Sequence, residues 1–495
     1  MEAHNILVVS DLHLGEGKNP KTGTFSRLED FVYDEAFARF LRYHQDVRHQ
    51  PRFGGRPWLL ILNGDILDFL QVVSLPEEGR MLRTVKDVAR YSELTPKDRA
   101  FGLGTTPEEA EWKMKRIARG HQPFFAALGR FVAQGNHVAV VKGNHDIELH
   151  WPQVQERFGL EAYRAYNRQR LARGEGPQVT SDEFKDHLRF YPWFYYEPGR
   201  LYVEHGGQYE SANSFDDYQN PVMVNRPHEI EFPWGSMFVR YLFNELEDVH
   251  PFADNVRPLS RYLSWAFRRD PMTTLELLLT RGGTFLRAFW NVAHKSVETA
   301  IQRSQVDQRD VPVQPDLLPP EVTDQIKVMT RVRREATQQE MMRATVRTLP
   351  KLVSLGLMVL SVIAALRGVW WAVAAGLIGA VGAQLLGRVM ERRTSHRFMD
   401  YLVRTARDIE ELLTGPHAVS YIVMGHTHMA DVVPLEQAWY VNVGTWLPFY
   451  EQKGPIEGRE ELTYFRHIEG DEGTPELLRW DDAGGEPARA RLGLL

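Results

Sequence analysis

Ile6-Leu7-Val8-Val9-Ser10-Asp11-Leu12-His13-Leu14-Gly15 is an apolar, β-branched run that stops abruptly at a polar Asp-x-His. Such a run predicts a buried strand whose C-terminal end presents side chains able to bind or react. The pattern recurs four times. Trp58 to Asn63 stops at Gly64-Asp65, and His137 to Lys142 stops at Gly143-Asn144-His145-Asp146. Arg200 to Glu204 stops at His205-Gly206-Gly207, and Val419 to Met424 stops at Gly425-His426-Thr427-His428. Five strands with polar C-terminal ends form a site-building arrangement. Between the first two, Phe31, Phe37, Phe40 and Leu41 mark the apolar face of a helix, so the chain opens strand, helix, strand and predicts a layered α/β core.

The whole chain narrows the chemistry. Its 495 residues are 43% hydrophobic and 25% charged, enough for one large domain with insertions. The net charge of -6 gives no overall basic field of the kind that dominates nucleic-acid binders. There is no cysteine, which excludes disulfides, thiolate metal sites and cysteine nucleophiles, so any metal rests on His, Asp, Glu or Asn. The N-terminal residues carry no secretory pattern, and a cytoplasmic catalytic domain is the expectation.

The interval from His205 to Gly425 is far too long for a connection and must hold an inserted structure. Residues 236–302 mix aromatics with arginine pairs and predict amphipathic helices, with 304–323 a linker. Leu352 to Leu366 and Gly368 to Gly387 are two apolar stretches parted by Arg367. They predict a helical hairpin of membrane type; the first is only about 22 Å long as a helix against a hydrocarbon core of ~30 Å, so a shallow or re-entrant hairpin is as admissible as a crossing. Ligands before and after the hairpin must meet, so an even number of crossings is required. Gly376, Gly379 and Gly382 would let the helices approach, Trp370 and Trp371 suit an interface, and Lys351, Arg388, Arg392 and Arg393 would keep both ends at the inner face of the cell membrane. The expected organisation is a core over 1–209, a helical cap over 210–349, the hairpin over 350–390 and the rest of the core over 391–495.

Taken singly, each polar strand end is an ordinary turn or cap. Asp11-x-His13 puts two metal-competent groups on one loop, Asn144 adds a neutral oxygen, and His145 is an imidazole able to act on a substrate. In their order the five ends match the pattern of the calcineurin-like metallophosphoesterases, which the chain resembles over about residues 5–210 and 415–450. The resemblance implies a four-layered α/β/β/α sandwich and two divalent transition-metal ions, manganese first, iron or zinc also admissible. It implies that Asp11, His13 and His428 hold one ion, that Asn144, His205 and His426 hold the other, and that Asp65 bridges them. His145 would contact the phosphate and assist the leaving oxygen. Asp146 would orient His145 or its own loop, or serve as a helix cap.

The chain reads Gly64-Asp65-Ile66-Leu67-Asp68 where phosphoprotein phosphatases carry a phosphate-gripping Arg segment, so it is not similar to that branch. It looks more like the UDP-2,3-diacylglucosamine hydrolases, which act on a lipid-linked pyrophosphate and place a helical lid between the same two motifs. Those enzymes commonly have Arg where this chain has His145, and their insertion is shorter. A repair-type nuclease acting on DNA and a membrane-tethered scaffold without activity remain as alternatives. The expected substrate is a phosphate ester or pyrophosphate, lipid-linked or nucleotide-linked, with the membrane as a partner and nucleic acid not.

Overall fold

Alternation along the strands sets the layers. In β1 (Asn5–Val9) of the computed structural model, Ile6 and Val8 point to one side and Leu7 and Val9 to the other. β2 (Trp58–Asn63) and β3 (His137–Val141) lie parallel to it, and all three are apolar on both faces because both faces are covered. On one side, Ile6, Val8, Leu59, Ile61, Ala139 and Val141 pack against Tyr195, Leu201, Val203, Tyr421, Val423 and Val441 of a second sheet. On the other, Leu7, Val9, Leu60, Leu62, Val138 and Val140 meet Phe37, Phe40, Phe124 and Phe125 of the helices.

The structure describes residues 3–76, 81–83, 89–91, 94–223, 225–244, 318–335, 367–391, 401–450, 458–471 and 473–492, with a few single positions between 272 and 365. Within these, β4 (Leu188–Tyr191) extends the first sheet beyond β3. The second sheet holds β5 (Phe194–Glu197), β6 (Leu201–Glu204), β7 (Tyr421–Met424), β8 (Asp431–Pro434) and β9 (Trp439–Asn442) in the order β8-β9-β7-β6-β5. The C-terminal strands β10 (Thr463–His467), β11 (Glu476–Asp481) and β12 (Glu486–Arg489) complete the first as β12-β11-β10-β1-β2-β3-β4.

Helices α1 (Asp34–Val47), α2 (Pro107–Gly120), α3 (Gln122–Ala133) and α4 (Pro152–Leu171) contribute to the core on the outer side of the first sheet. α2 starts at a capping box between Thr106 and Glu109 with Pro107 next, a composition that fixes a helix start. After α5 (Trp370–Glu391), α6 (Tyr401–Leu412) brings Leu402, Ala406 and Ile409 into the cluster that holds Ile422, Met424 and Tyr440 of the second sheet. The order is helix, sheet, sheet, helix. All five strands expected from sequence form; β1, β2 and β3 in one sheet run parallel to one another, as do β6 and β7 in the other, which brings their polar C-terminal ends to one edge.

Among the described residues no helix is long and apolar enough to cross a membrane, so the expected membrane-type hairpin is not shown as a crossing. In α5 the apolar run is diluted by Gly376, Gly379, Gly382 and Gln384 and ends in Arg388 and Glu391. Gly376 is backed by Ser361, whose Oγ lies 2.1 Å from where a Cβ would stand. Most of the stretch expected over 352–366, the helices expected between 245 and 302 and most of the linker expected over 304–323 lie outside the described residues. The described part of the insertion also includes a two-stranded ribbon, Val222–Met223 with Arg226–Ile230, where helix was expected.

At the α2–α3 junction His121 is fully buried, with Nδ1 3.1 Å from Asp34 and Nε2 3.3 Å from Glu29. Glu29 accepts the backbone N–H groups of Gly15 and Phe31, so the histidine pins the loop that follows His13. Burial alone would push the His121 pKa down, but Glu29 and Asp34 outweigh it and raise it to about 10. A raised pKa contributes stability that is complete below the unfolded value near 6.5 and is lost as pH rises through about 10. The urea midpoint of wild type minus that of His121→Gln should therefore shrink between those pH values. The full difference at pH 6 should correspond to about 3 kcal/mol, the order expected for breaking a buried ion pair. A difference constant from pH 6 to 10 would remove the ion pair from the account.

Candidate metal centre

The polar edge is stitched from backbone before any side chain acts. Leu12 N and His13 N both donate to Asp65 O at 2.9 Å, Asp11 N donates to Gly64 O at 3.2 Å, and Gly64 N donates to Val141 O at 2.9 Å. The loops after β1, β2 and β3 thus form one surface. Gly143 is required there, because a Cβ would stand 2.2 Å from Asp65 Oδ1.

Six non-glycine residues among those described have φ in the left-handed region. Five of them are Asp11 (55°), His13 (52°), Asp65 (50°), His426 (70°) and His428 (61°). Each such residue costs of order 1–3 kcal/mol and persists only where surrounding contacts over-determine it. Those contacts are present. Thr445 Oγ1 donates to Asp11 O at 2.8 Å, and Asn442 Nδ2 donates to Gly425 O at 2.9 Å and Thr427 Oγ1 at 3.0 Å.

The side chains converge as three overlapping groups: Asp11 with His13 and His428, His13 with Asp65 and His145, and Asp65 with His205 and His426. Within each group one ligand-type atom per residue lies within 4.8 Å of the others. Asn144 joins them through Oδ1, 3.1 Å from His205 Nε2, which is itself 3.0 Å from Asp65 Oδ2. His428 Nε2 lies 3.3 Å from Asp11 Oδ1. All seven residues expected as ligands therefore meet at one edge, and all but His428 are buried.

The donor set fits cations. His13 Nε2 is buried without a hydrogen-bond partner, 3.9 Å from Asp65 Oδ2, an arrangement that costs free energy unless a charge sits between. Burial would raise the Asp65 carboxyl, but His205, His145 and His13 hold it well below the usual carboxylate range. Burial likewise opposes His205 protonation, while Asp65 and Asp11 raise its pKa to about 9.

His145 Nδ1 is 2.7 Å from Asp68 Oδ2, and the same oxygen is 3.2 Å from His13 Nδ1. Asp68 is completely buried and orients both rings. Sequence reasoning met it only as the last residue of Gly-Asp-x-x-Asp, and that spacing was the available signal. Asp146 does not orient His145. Its Oδ1 accepts from Gly143 N at 2.6 Å and its Oδ2 from Ile66 N at 2.9 Å, so it clamps the loops after β2 and β3, and it makes no side-chain helix cap.

Convergent Asp, His and Asn side chains at the shared edge of two facing sheets define a metal-dependent hydrolase. A family model for the calcineurin-like phosphoesterases matches residues 4–283, more than half of the chain, and the chain belongs to that family. Its members are metal-dependent phosphoric ester hydrolases with a dinuclear divalent metal centre. No curated protein matches the chain. The matched span ends before His426 and His428, which the fold returns to the site from beyond the insertion.

Proposed function

We propose that the chain hydrolyses a phosphate ester or anhydride at a paired metal centre, with Asp11, His13 and His428 holding one ion, Asn144, His205 and His426 the other, and Asp65 between them. The observation that carries this reading is the sharing of Asp65 by two of the three converging groups. When bound, two divalent ions supply Lewis-acid polarisation of a phosphoryl oxygen and bring the ionisation of a water into the neutral range. Imidazole, carboxylate and amide donors without sulfur favour manganese, iron or zinc over calcium. The chain's own part is positional. Asp68 engages His145 at Nδ1 and so orients the ring that would contact the phosphoryl group and assist the leaving oxygen.

The proposed substrate is lipid-linked or nucleotide-linked rather than DNA. Its support is α5, which exposes Trp370, Trp371, Leu377, Ile378, Val381 and Leu385 beside the exposed Arg367, a surface that suits a lipid headgroup boundary without crossing it. The net charge of -6 speaks against a phosphate backbone as partner.

The test is turnover of an aryl phosphodiester by protein loaded with manganese, followed by a screen of phosphomonoesters, nucleotide-linked lipids and DNA. Activity should vanish on chelation and return on adding manganese. A fully metal-loaded protein that turns over none of these would leave the scaffold reading in its place. Cleavage of DNA alone would favour the nuclease.

A further inference from the structure

After His205 the chain turns through Gly206, φ 101°, into a single helical turn, Gly207–Tyr209, and leaves it in extended conformation at Glu210. That turn carries Glu210 back to the loop after β7. Its Oε2 lies 2.7 Å from His426 Nε2 and also accepts from Asn213 Nδ2 at 2.8 Å. The backbone at Glu210 is itself held in place, because Asn213 N and Ser214 N both donate to its carbonyl oxygen at 3.0 Å. Both residues are buried, Glu210 at 9% exposure and His426 at 3%. On its other side His426 is fixed through its backbone, whose N–H donates to Asp11 Oδ2 at 2.9 Å.

We propose that Glu210 is the positioning residue of His426: it accepts the Nε2 proton and leaves the lone pair of Nδ1 for the cation. The proposal rests on the reading that His426 holds metal. A neutral imidazole has one protonated nitrogen and one lone pair, and the partner of the first decides which nitrogen is which. A histidine ligand commonly gives its second N–H to a carboxylate, and loss of that partner costs about 10–100-fold in metal affinity. Glu210 acts behind the ring, because the group that His426 forms with Asp65 and His205 does not include it. It also stands five residues beyond His205, so one carboxylate ties a ligand that precedes the insertion to a ligand that follows it.

The experiment is a titration of metal-free protein with manganese, by calorimetry and by metal content after gel filtration, for wild type, Glu210→Met, Glu210→Gln and His426→Ala. Met keeps the side-chain volume and offers no comparable acceptor, whereas the Gln carbonyl can still accept the Nε2 proton. Glu210→Met should weaken one of two sites by about 10–100-fold and leave the other within about two-fold, with the metal-free protein still folded and its melting temperature lowered by only a few degrees. Glu210→Gln should recover most of the loss, and His426→Ala should abolish the same site. Two wild-type affinities in Glu210→Met, or a Glu210→Gln as weak as Glu210→Met, would overturn the positioning role. If His426→Ala keeps both ions, the ligand assignment fails first and takes the proposal with it.

Discussion

Asp65→Asn is expected to lower turnover by at least about a thousand-fold and to leave the protein with one ion or none after gel filtration, while its metal-free fold is unchanged. Asp65 is the one carboxylate that belongs to two of the converging groups, so its charge faces both proposed ions. An amide keeps the shape but not the charge. It also keeps the structural contact, because Asp65 Oδ1 accepts from His145 N at 2.7 Å and a carbonyl oxygen there can do the same. The three imidazoles that hold the Asp65 pKa down would then face a neutral group, and cation binding would lose the carboxylate that offsets mutual repulsion. Metal analysis and kinetics on one preparation check this. A variant retaining two ions and full turnover would remove Asp65 from the bridge.

This result depends on residues that were legible in the sequence, and the reason is physical. Asp11, His13, Asp65, Asn144, His205, His426 and His428 all follow buried parallel strands, whose uninterrupted apolar runs mark both the strand and its end. That the five ends build one site was readable from their order and their shared polar termination. What stayed hidden depends on backbone conformation and long-range contact. Nothing in Ser10-Asp11-Leu12-His13 announces left-handed φ at both Asp11 and His13, because those values come from Thr445 and the Asp65 carbonyl, far along the chain. Glu210 sits in a loop without periodicity and acquires meaning only through a contact 216 residues away. For Asp146 the sequence left three roles open, orienting His145, holding its own loop or capping a helix, and only the fold shows its carboxylate on the backbone amides of Gly143 and Ile66. Hydropathy of residues 352–387 suggested a membrane-type hairpin; most of its first half lies outside the described residues, and among those described no helix is long and apolar enough to cross a membrane.

His145→Ala and Asp68→Asn should fail in different ways, and the contrast separates ligand from acid. His145 is only partly buried, and its Nδ1 is committed to Asp68 at 2.7 Å. Removing the ring should cut kcat by about 10²–10⁴, the usual contribution of a positioned acid or base, with both ions retained. Asp68 reaches further. Its Oδ2 faces His145 Nδ1 and His13 Nδ1, while its Oδ1 accepts from Leu70 N at 2.9 Å and Gln71 N at 3.1 Å. An Asn at position 68 keeps those two amides only by turning its carbonyl towards them, which presents its NH₂ to both rings. Each Nδ1 must then accept, and in the neutral ring the proton moves to Nε2. For His13 that proton occupies the nitrogen now buried without a partner, the one proposed for metal. Asp68→Asn should therefore lose both rate and metal affinity, the latter by about 10–100-fold, whereas His145→Ala loses rate alone. Manganese titration with kcat on the same samples decides. A His145→Ala protein that releases an ion would make His145 a ligand, as its grouping with His13 and Asp65 also permits.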